Sequence, residues 1–330
     1  MANQAPEPTR ASPDGAPFFV VGAMRSGTTL LRLMLASHPR LAIPPESHFL
    51  PELMEFETSS GGLDHKRERV IEWLIAHRRL ADFNLGVEWM RRTMATLNPF
   101  TTRSIVSVLF AEYARREGKP RWGDKTPRYR CFIPQLHHVF PEAKFIHVLR
   151  DGRDTALSAW RARFGPKTWA AAVYDWRDSI RIAWTGQRSL PQEFLLEIRY
   201  EDLIQKPEDV LRKVCSFLQE DYHPEMLGFS GAAKKQVPDW EAAWHAKLEG
   251  PLDPKNTNKW KTELTPEQVL LFERIAGKEL AAAGYLPANL SANTRIRVKA
   301  SLMQSGYLLR TPLVRLLSFL NKKGPLERAA

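Results

Sequence analysis

Phe18-Phe19-Val20-Val21-Gly22-Ala23-Met24-Arg25-Ser26-Gly27-Thr28-Thr29-Leu30-Leu31 compresses a strand, a glycine loop and a helix start into one stretch. The apolar run 18–21 ending at Gly22 reads as a buried strand. Leu30, Leu31, Leu33, Met34 and Leu35 then recur at helical spacing until Pro39 stops the pattern. Between them stands G-x-x-x-x-G-T-T, Gly22 to Thr29. The backbone N–H groups of such a loop, with the positive end of the helix behind it, bind phosphate-like oxyanions. In metal-dependent nucleotide hydrolases a lysine follows the second glycine and reaches the outer phosphates. Here Thr28 takes that place and the cation sits earlier, at Arg25. The reading is an anion-binding loop for a different phosphorylated ligand; an ordinary strand-to-helix turn is the plainer alternative.

Outward from the loop, strands and helices alternate. Leu41–Ile43 is a second short strand; several helices follow from about 47 to 118, broken at Gly61-Gly62, Gly86 and Pro99. Arg121–Gly123 is short and ambiguous. Lys144–Leu149 (KFIHVL) is a strand, followed by helices over 151–163 and 169–188 and a strand over 194–198. Helices are expected near 202–219 and 266–283, and residues 231–262 read as a long loop of the kind that is usually functional or mobile. Alternation of this kind implies an α/β fold: a P-loop-type parallel sheet flanked by helices, with helical insertions and a C-terminal helical extension. The expected divisions are a disordered segment over 1–16, a main domain over 17–289 and a basic amphipathic extension over 290–330.

The chain has 330 residues, 48 Lys and Arg against 37 Asp and Glu, and a net charge of +11. The last 41 residues hold +7 of it. A near-neutral body with a basic tail is unlike a uniformly basic nucleic-acid binder, so no nucleic-acid partner is expected. Two cysteines, Cys131 and Cys215, build neither a disulfide framework nor a tetrahedral metal cluster. Met1–Gly15 lacks the apolar run of a secretory signal, and no stretch reaches the roughly 18 apolar residues of a spanning helix. The expectation is a soluble protein of a reducing, cytoplasmic compartment.

A second anion-binding candidate lies in Lys144–Trp160, KFIHVLRDGRDTALSAW. Arg150 stands at the carboxyl end of a strand, where open α/β sheets present ligand-binding groups, and Ser158 lies two turns into the next helix. The alternative for Arg150-Asp151 is a structural ion pair with a helix cap. Taken together, R-S-G-T-T and R-D-G-R-x-x-x-x-S resemble the family of sulfotransferases that use PAPS (3′-phosphoadenosine 5′-phosphosulfate), in particular its tyrosylprotein sulfotransferase branch. The resemblance runs from about Phe18 to Tyr285. It also takes in Pro45-Glu46-Ser47, Asp124-Lys125-Thr126-Pro127, Arg199-Tyr200-Glu201-Asp202-Leu203 and Lys259-Trp260.

This resemblance implies that Arg25, Ser26, Gly27, Thr28 and Thr29 cradle the 5′-phosphosulfate and that Arg150 and Ser158 grip the 3′-phosphate. Tyr200 and Lys259 would contact the nucleotide. Glu46 would be the catalytic base, Lys125 the catalytic lysine on the transferring group, and Arg25 an aid to the leaving group. Alternatives stay open at each position: Glu46 as a helix N-terminal acid, with His48 a rival base; Lys125 and Lys259 as solvated charges; Tyr200 as a core aromatic. The implied co-substrate is PAPS, with PAP as product and no metal, because the donor carries its own leaving group. In-line sulfuryl transfer needs mainly positioning and electrostatic stabilisation by cations and backbone N–H groups, by analogy with phosphoryl transfer.

Three departures concern the acceptor. The tyrosylprotein branch places arginines two and six residues after the carboxylate, where this chain has His48 and Glu52. That branch has a serine in the loop before Lys259-Trp260, whereas no serine occurs between Gly231 and Leu290. No counterpart of its disulfides or membrane anchor is expected either. The implied acceptor is a hydroxyl on a carbohydrate, lipid, small molecule or tyrosine. Competing functions are a P-loop nucleotide kinase or other NTPase, and a non-catalytic nucleotide-binding, membrane-associated protein. In the tail, residues 293–323 mix apolar and basic residues, and segments on either side of Pro312 read as amphipathic helices. They would lie on an anionic membrane surface or a partner, or pack on the chain's own body or a second subunit.

Overall fold

A computed structural model describes residues 15–59, 61–230 and 250–320, with the backbone alone for 310–320. Most of the segment expected to be disordered, 1–14, lies outside the described residues, as do most of the 231–262 loop and the last ten residues of the tail.

Five strands form one parallel sheet: β1 (Phe18–Gly22), β2 (Leu41–Ala42), β3 (Arg121–Lys125), β4 (Lys144–Leu149) and β5 (Leu195–Arg199). Their order is β2-β3-β1-β4-β5, every pair parallel. All five residues of β1 are buried, as expected for a central strand covered on both faces. Side chains alternate across it. Phe19 and Val21 enter one apolar cluster, with Phe49, Phe110, Trp122 and Phe145; Phe18 and Val20 enter the other, with Leu30, Leu31, Leu211 and Val214. Gly123 on β3 makes room for the Phe18 ring, since a Cβ there would stand 2.4 Å from it.

The first face is covered by α2 (Leu50–Thr58), α3 (Arg67–Ala76), α4 (Arg78–Ala81), α5 (Val87–Thr96), α6 (Thr102–Arg116) and α7 (Ile133–Val139). The second is covered by α1 (Thr28–Ala36), α10 (Tyr200–Gln205) and α11 (Pro207–Leu218). A third cluster joins α8 (Gly152–Trp160), α9 (Trp169–Gln187) and α13 (Pro266–Ala282) through Leu149, Trp169, Trp176 and Phe272. A short α12 (Trp260–Glu263) precedes α13, and α14 (Thr294–Leu320) lies against α13 and α9.

Several boundaries differ from the sequence reading. Arg121–Lys125 is a full strand, so Lys125 ends β3 rather than following it. The single helix expected over 202–219 is two, because Pro207 opens α11 and has no N–H to continue α10. The helix expected to reach 163 ends at Trp160. The tail is one helix across Pro312 rather than two segments beside it.

The order of strands sets the site. From β1 the chain runs to β2, returns to lay β3 beside β1, and then places β4 on the other side of β1. Connections therefore diverge at the carboxyl ends of β1, β3 and β4, which is where open α/β sheets leave a ligand crevice.

Candidate active site

The glycine loop joins β1 to α1 at this crevice. Gly27 takes φ of 102° and Arg25 takes 70°. A Cβ on Gly27 would stand 2.2 Å from the Tyr200 ring, so glycine answers both to the left-handed backbone and to the tyrosine laid against the loop. Gly27 at the N-cap offers α1 no side-chain cap, and the first N–H groups of the helix have no partner within it. Ser26 and Thr28 are buried over Gly22. The Ser26 N–H closes the turn onto the Ala23 carbonyl at 3.1 Å. Its buried Oγ has no hydrogen-bond partner among the described residues.

Arg150 follows β4 and is turned to the loop. Its Nη1 donates to the Arg25 carbonyl at 3.2 Å and its Nη2 to the Asn256 carbonyl at 2.7 Å, and its guanidinium lies 4.3 Å over the Tyr200 ring. Its buried Nε has no partner among the described residues. Arg25 Nε donates to Ser158 Oγ at 3.3 Å. Burial, and then the neighbouring Arg150, lower the Arg25 pKa from its ordinary value. Two arginines held this closely are a preformed place for an anion.

The rest of the R-D-G-R-D segment is structural. Asp151 caps α8 and forms a two-point pair with Arg153, at 3.0 and 2.7 Å. Asp154 Oδ1 accepts the Trp260 N–H at 2.8 Å. The ion pair and cap envisaged for Arg150-Asp151 thus exist, but between Asp151 and Arg153, which leaves Arg150 to the crevice. Through Asp154 the same helix holds the 256–260 segment, where Lys259 Nζ donates to Asn256 Oδ1 at 2.8 Å.

Arg25, Arg150, Ser158, Tyr200 and Lys259 line a cavity of about 710 Å³, which is of the size that holds a nucleotide. Arg161 and Arg163 line it too. They flank, one residue out of register, the position of a further arginine that the resemblance implies, and so stand outside the expected site residues. Their signal is two arginines just past the end of the helix that begins with the R-D-G-R-D turn.

Across the loop, at the ends of β2 and β3, lies the second half of the site. Lys125 is 1% exposed, and its Nζ reaches Glu46 Oε1 at 2.5 Å and Thr29 Oγ1 at 3.1 Å. Thr29 ties this pair to the glycine loop. His48 has φ of 58°, unusual outside glycine, and its Nε2 lies 2.7 Å from Glu46 Oε2. Both carboxylate oxygens are therefore engaged. Burial by itself would raise the Glu46 pKa; Lys125 and then His48 outweigh it and hold the carboxyl well below its ordinary range.

A buried network fixes this turn from beneath. The Ser47 hydroxyl bonds Asp124 and meets Tyr129 Oη at 2.7 Å; Thr126 Oγ1 donates to Asp124 Oδ1 at 2.7 Å and accepts the Ser47 N–H at 3.1 Å. Burial pushes Asp124 up to about 6. Asp124, Ser47 and Tyr129 were absent from the sequence-derived roles, although the segments containing Ser47 and Asp124 were singled out. No chemistry-bearing pattern marks them; only the tertiary contact of the β2 and β3 ends reveals them.

The same segments match a known family over residues 17–224, the Sulfotransferase family. The chain belongs to the sulfotransferase family. It is 25% identical over 289 residues to the nodulation protein NoeE of Sinorhizobium fredii, covering 79% of this chain and 64% of that one. With a protein-tyrosine sulfotransferase of Drosophila melanogaster it shares 24% over 216 residues, 63% of this chain and 39% of that one. The chain thus spans less than two thirds of the length of these two relatives. Among solved structures, the sulfotransferase domain of the Synechococcus PCC 7002 olefin synthase superposes with a TM-score of 0.55 at 29% identity, covering 83% of this chain and 98% of that domain. The sulfotransferase domain of the curacin biosynthetic pathway gives 0.56 at 25%, covering 83% and 99%. The fold and family expected from the two anion-binding segments are those found.

Proposed function

We propose that this sulfotransferase-family chain transfers the sulfuryl group of PAPS to a hydroxyl acceptor. The observation that carries the reading is the division of the site by one glycine loop. On its β4 side Arg25, Arg150, Ser158 and Lys259 line a nucleotide-sized cavity; on its β3 side the buried Lys125 pairs with the partly buried Glu46. The Arg150 Nε, without a partner among the described residues, and the crowded Arg25–Arg150 pair fit a ligand with phosphates at two places.

Bound PAPS supplies an activated sulfuryl group, whose bond to the phosphate oxygen breaks as a bond to the acceptor oxygen forms. Arg25 and the free N–H groups at the start of α1 hold the phosphosulfate end, and Arg150 and Ser158 hold the 3′-phosphate. Glu46 takes the acceptor hydroxyl proton. Lys125 stabilises charge on the leaving side. In the structure Lys125 neutralises the base it must work beside. We infer that Lys125 shifts from Glu46 Oε1 toward the donor's oxygens, which frees that oxygen and restores its basicity. His48 stays on Oε2 as the orienting partner.

A nucleotide hydrolase reading is disfavoured because Thr28 stands where the phosphate-loop lysine belongs and Lys125 is held on another strand by Glu46. The acceptor class stays as broad as carbohydrate, lipid, small molecule or tyrosine. The test is transfer of label from ³⁵S-PAPS to a panel of hydroxyl compounds. Labelled product that depends on Glu46 supports the proposal, and PAPS left untouched by every acceptor while ATP is hydrolysed would overturn it.

A further inference from the structure

We infer that α14 is a peripheral docking helix for an anionic lipid surface. This rests on the helix alone and stands apart from the sulfotransferase reading. One side of α14 is committed to the body. Ala300 is fully buried, Met303 and Tyr307 join the α9–α13 cluster, and the Tyr307 ring stacks on Tyr174 at 4.7 Å. Gln304 Nε2 donates to Tyr174 Oη at 3.2 Å. The helix is thus a fixed ridge on the domain.

Nothing among the described residues covers the opposite side. Val298, Leu302 and Leu309 are 52%, 66% and 81% exposed. Their spacing of four and seven places them in one stripe along the helix. In the sequence Leu313, Leu316 and Leu320 continue that spacing to the end of a helix roughly 40 Å long. Exposed apolar side chains in a continuous row call for an occupant.

Charge selects which one. From Thr294 to Leu320 there are five cations, Arg295, Arg297, Lys299, Arg310 and Arg315, and no acid. Lys299 is met by Glu267 of α13 at 3.2 Å, while Arg295 and Arg297 are exposed. A second copy of this helix would bring five more cations and no counter-charge, which opposes self-pairing. An anionic lipid headgroup layer supplies both the negative charge and an apolar interior for the leucines. The helix would lie on the surface, since no helix among the described residues is long and apolar enough to cross a membrane.

The test is co-sedimentation of the full chain with vesicles of phosphatidylcholine alone and of phosphatidylcholine with phosphatidylserine. The full chain should partition onto the phosphatidylserine vesicles and be released by raised salt. Leu302→Asp with Leu309→Asp should weaken partitioning by at least tenfold, and Arg295→Gln with Arg297→Gln by roughly thirtyfold. Both double variants should keep the parental melting temperature and its shift with PAP, so loss of lipid binding is separable from loss of the nucleotide site. No binding to phosphatidylserine vesicles, or equal binding to both compositions that neither variant alters, would overturn the inference. So would a concentration-dependent dimer broken by Leu302→Asp without any vesicle binding.

Discussion

Replacing Glu46 by glutamine probes the half of the site where chemistry is proposed to occur. The amide keeps the shape of the carboxylate and one acceptor for Lys125 Nζ, now 2.5 Å from Oε1, but it cannot take a proton. A positioned base contributes about 10²–10⁴ in rate, so kcat should fall by that factor, or about 3–5 kcal/mol of barrier. Glu46 is absent from the cavity lined by Arg25, Arg150, Ser158 and Lys259, so the dissociation constant for PAP should change less than about threefold. Stability should respond in a defined direction. The folded pKa of Glu46 is depressed by Lys125 and His48, so its contribution is present above the unfolded carboxyl pKa and is lost as pH falls through the folded one. Removing it leaves the 1%-exposed Lys125 ammonium without its anion, at a cost of about 2 kcal/mol near neutral pH that shrinks in acid. The assay is single-turnover transfer with ³⁵S-PAPS and an identified acceptor, alongside urea midpoints at neutral and acid pH. Parental kcat in Glu46→Gln, with PAP binding intact, would refute the base assignment and return His48 as the candidate.

Other expectations follow from the same geometry. Arg150→Ala should weaken PAP binding by at least tenfold in isothermal titration, because it removes a charge-assisted contact and, among the described residues, breaks no ion pair. Gly27→Ala should lower stability by about 2 kcal/mol or more and abolish PAP binding, since the methyl group meets the Tyr200 ring at a positive φ; a parental melt would contradict this. Asp124, raised from 3.8 to about 6 by burial, should make the folded chain lose up to about 3 kcal/mol as pH rises through that interval, and Asp124→Asn should flatten the dependence of the urea midpoint there. Lys125→Met should cut kcat by about 10²–10³ while raising the apparent pKa of the acidic limb of the rate profile, because Glu46 then feels burial with only His48 against it.

Most residues that line the proposed donor cavity were legible because they are close together in sequence. Gly22 to Thr29 and Arg150 to Gly152 each span a strand-to-helix turn, where element order alone predicts which backbone groups point outward, and Ser158 follows within the helix. The sheet was legible for the same reason: β1 is a continuous apolar run, and β4 is apolar apart from Lys144 and His147. What escaped depends on contacts far apart in the chain. Ser47, Asp124, Thr126 and Tyr129 are ordinary polar residues until the ends of β2 and β3 bring them within hydrogen-bonding distance. The inward rotation of Ser26 and Thr28 likewise follows from their packing over Gly22 rather than from the motif. Pro312 misled in the other direction. The expectation set two amphipathic segments beside it, and the backbone continues as one helix.

On the proposed reading, the glycine loop with Arg25, and Arg150 after β4, hold a 3′,5′-bisphosphorylated adenosine without a lysine in the phosphate loop. Thermal melting of the full chain with PAP in the presence of EDTA, against ATP–Mg²⁺ and buffer, addresses it directly. At a ligand concentration about a hundred times the dissociation constant, PAP should contribute about 2.7 kcal/mol and raise the melting temperature by roughly 5 °C, with Arg150→Ala removing most of that shift. A melting temperature unmoved by PAP and raised by ATP–Mg²⁺ would contradict the account.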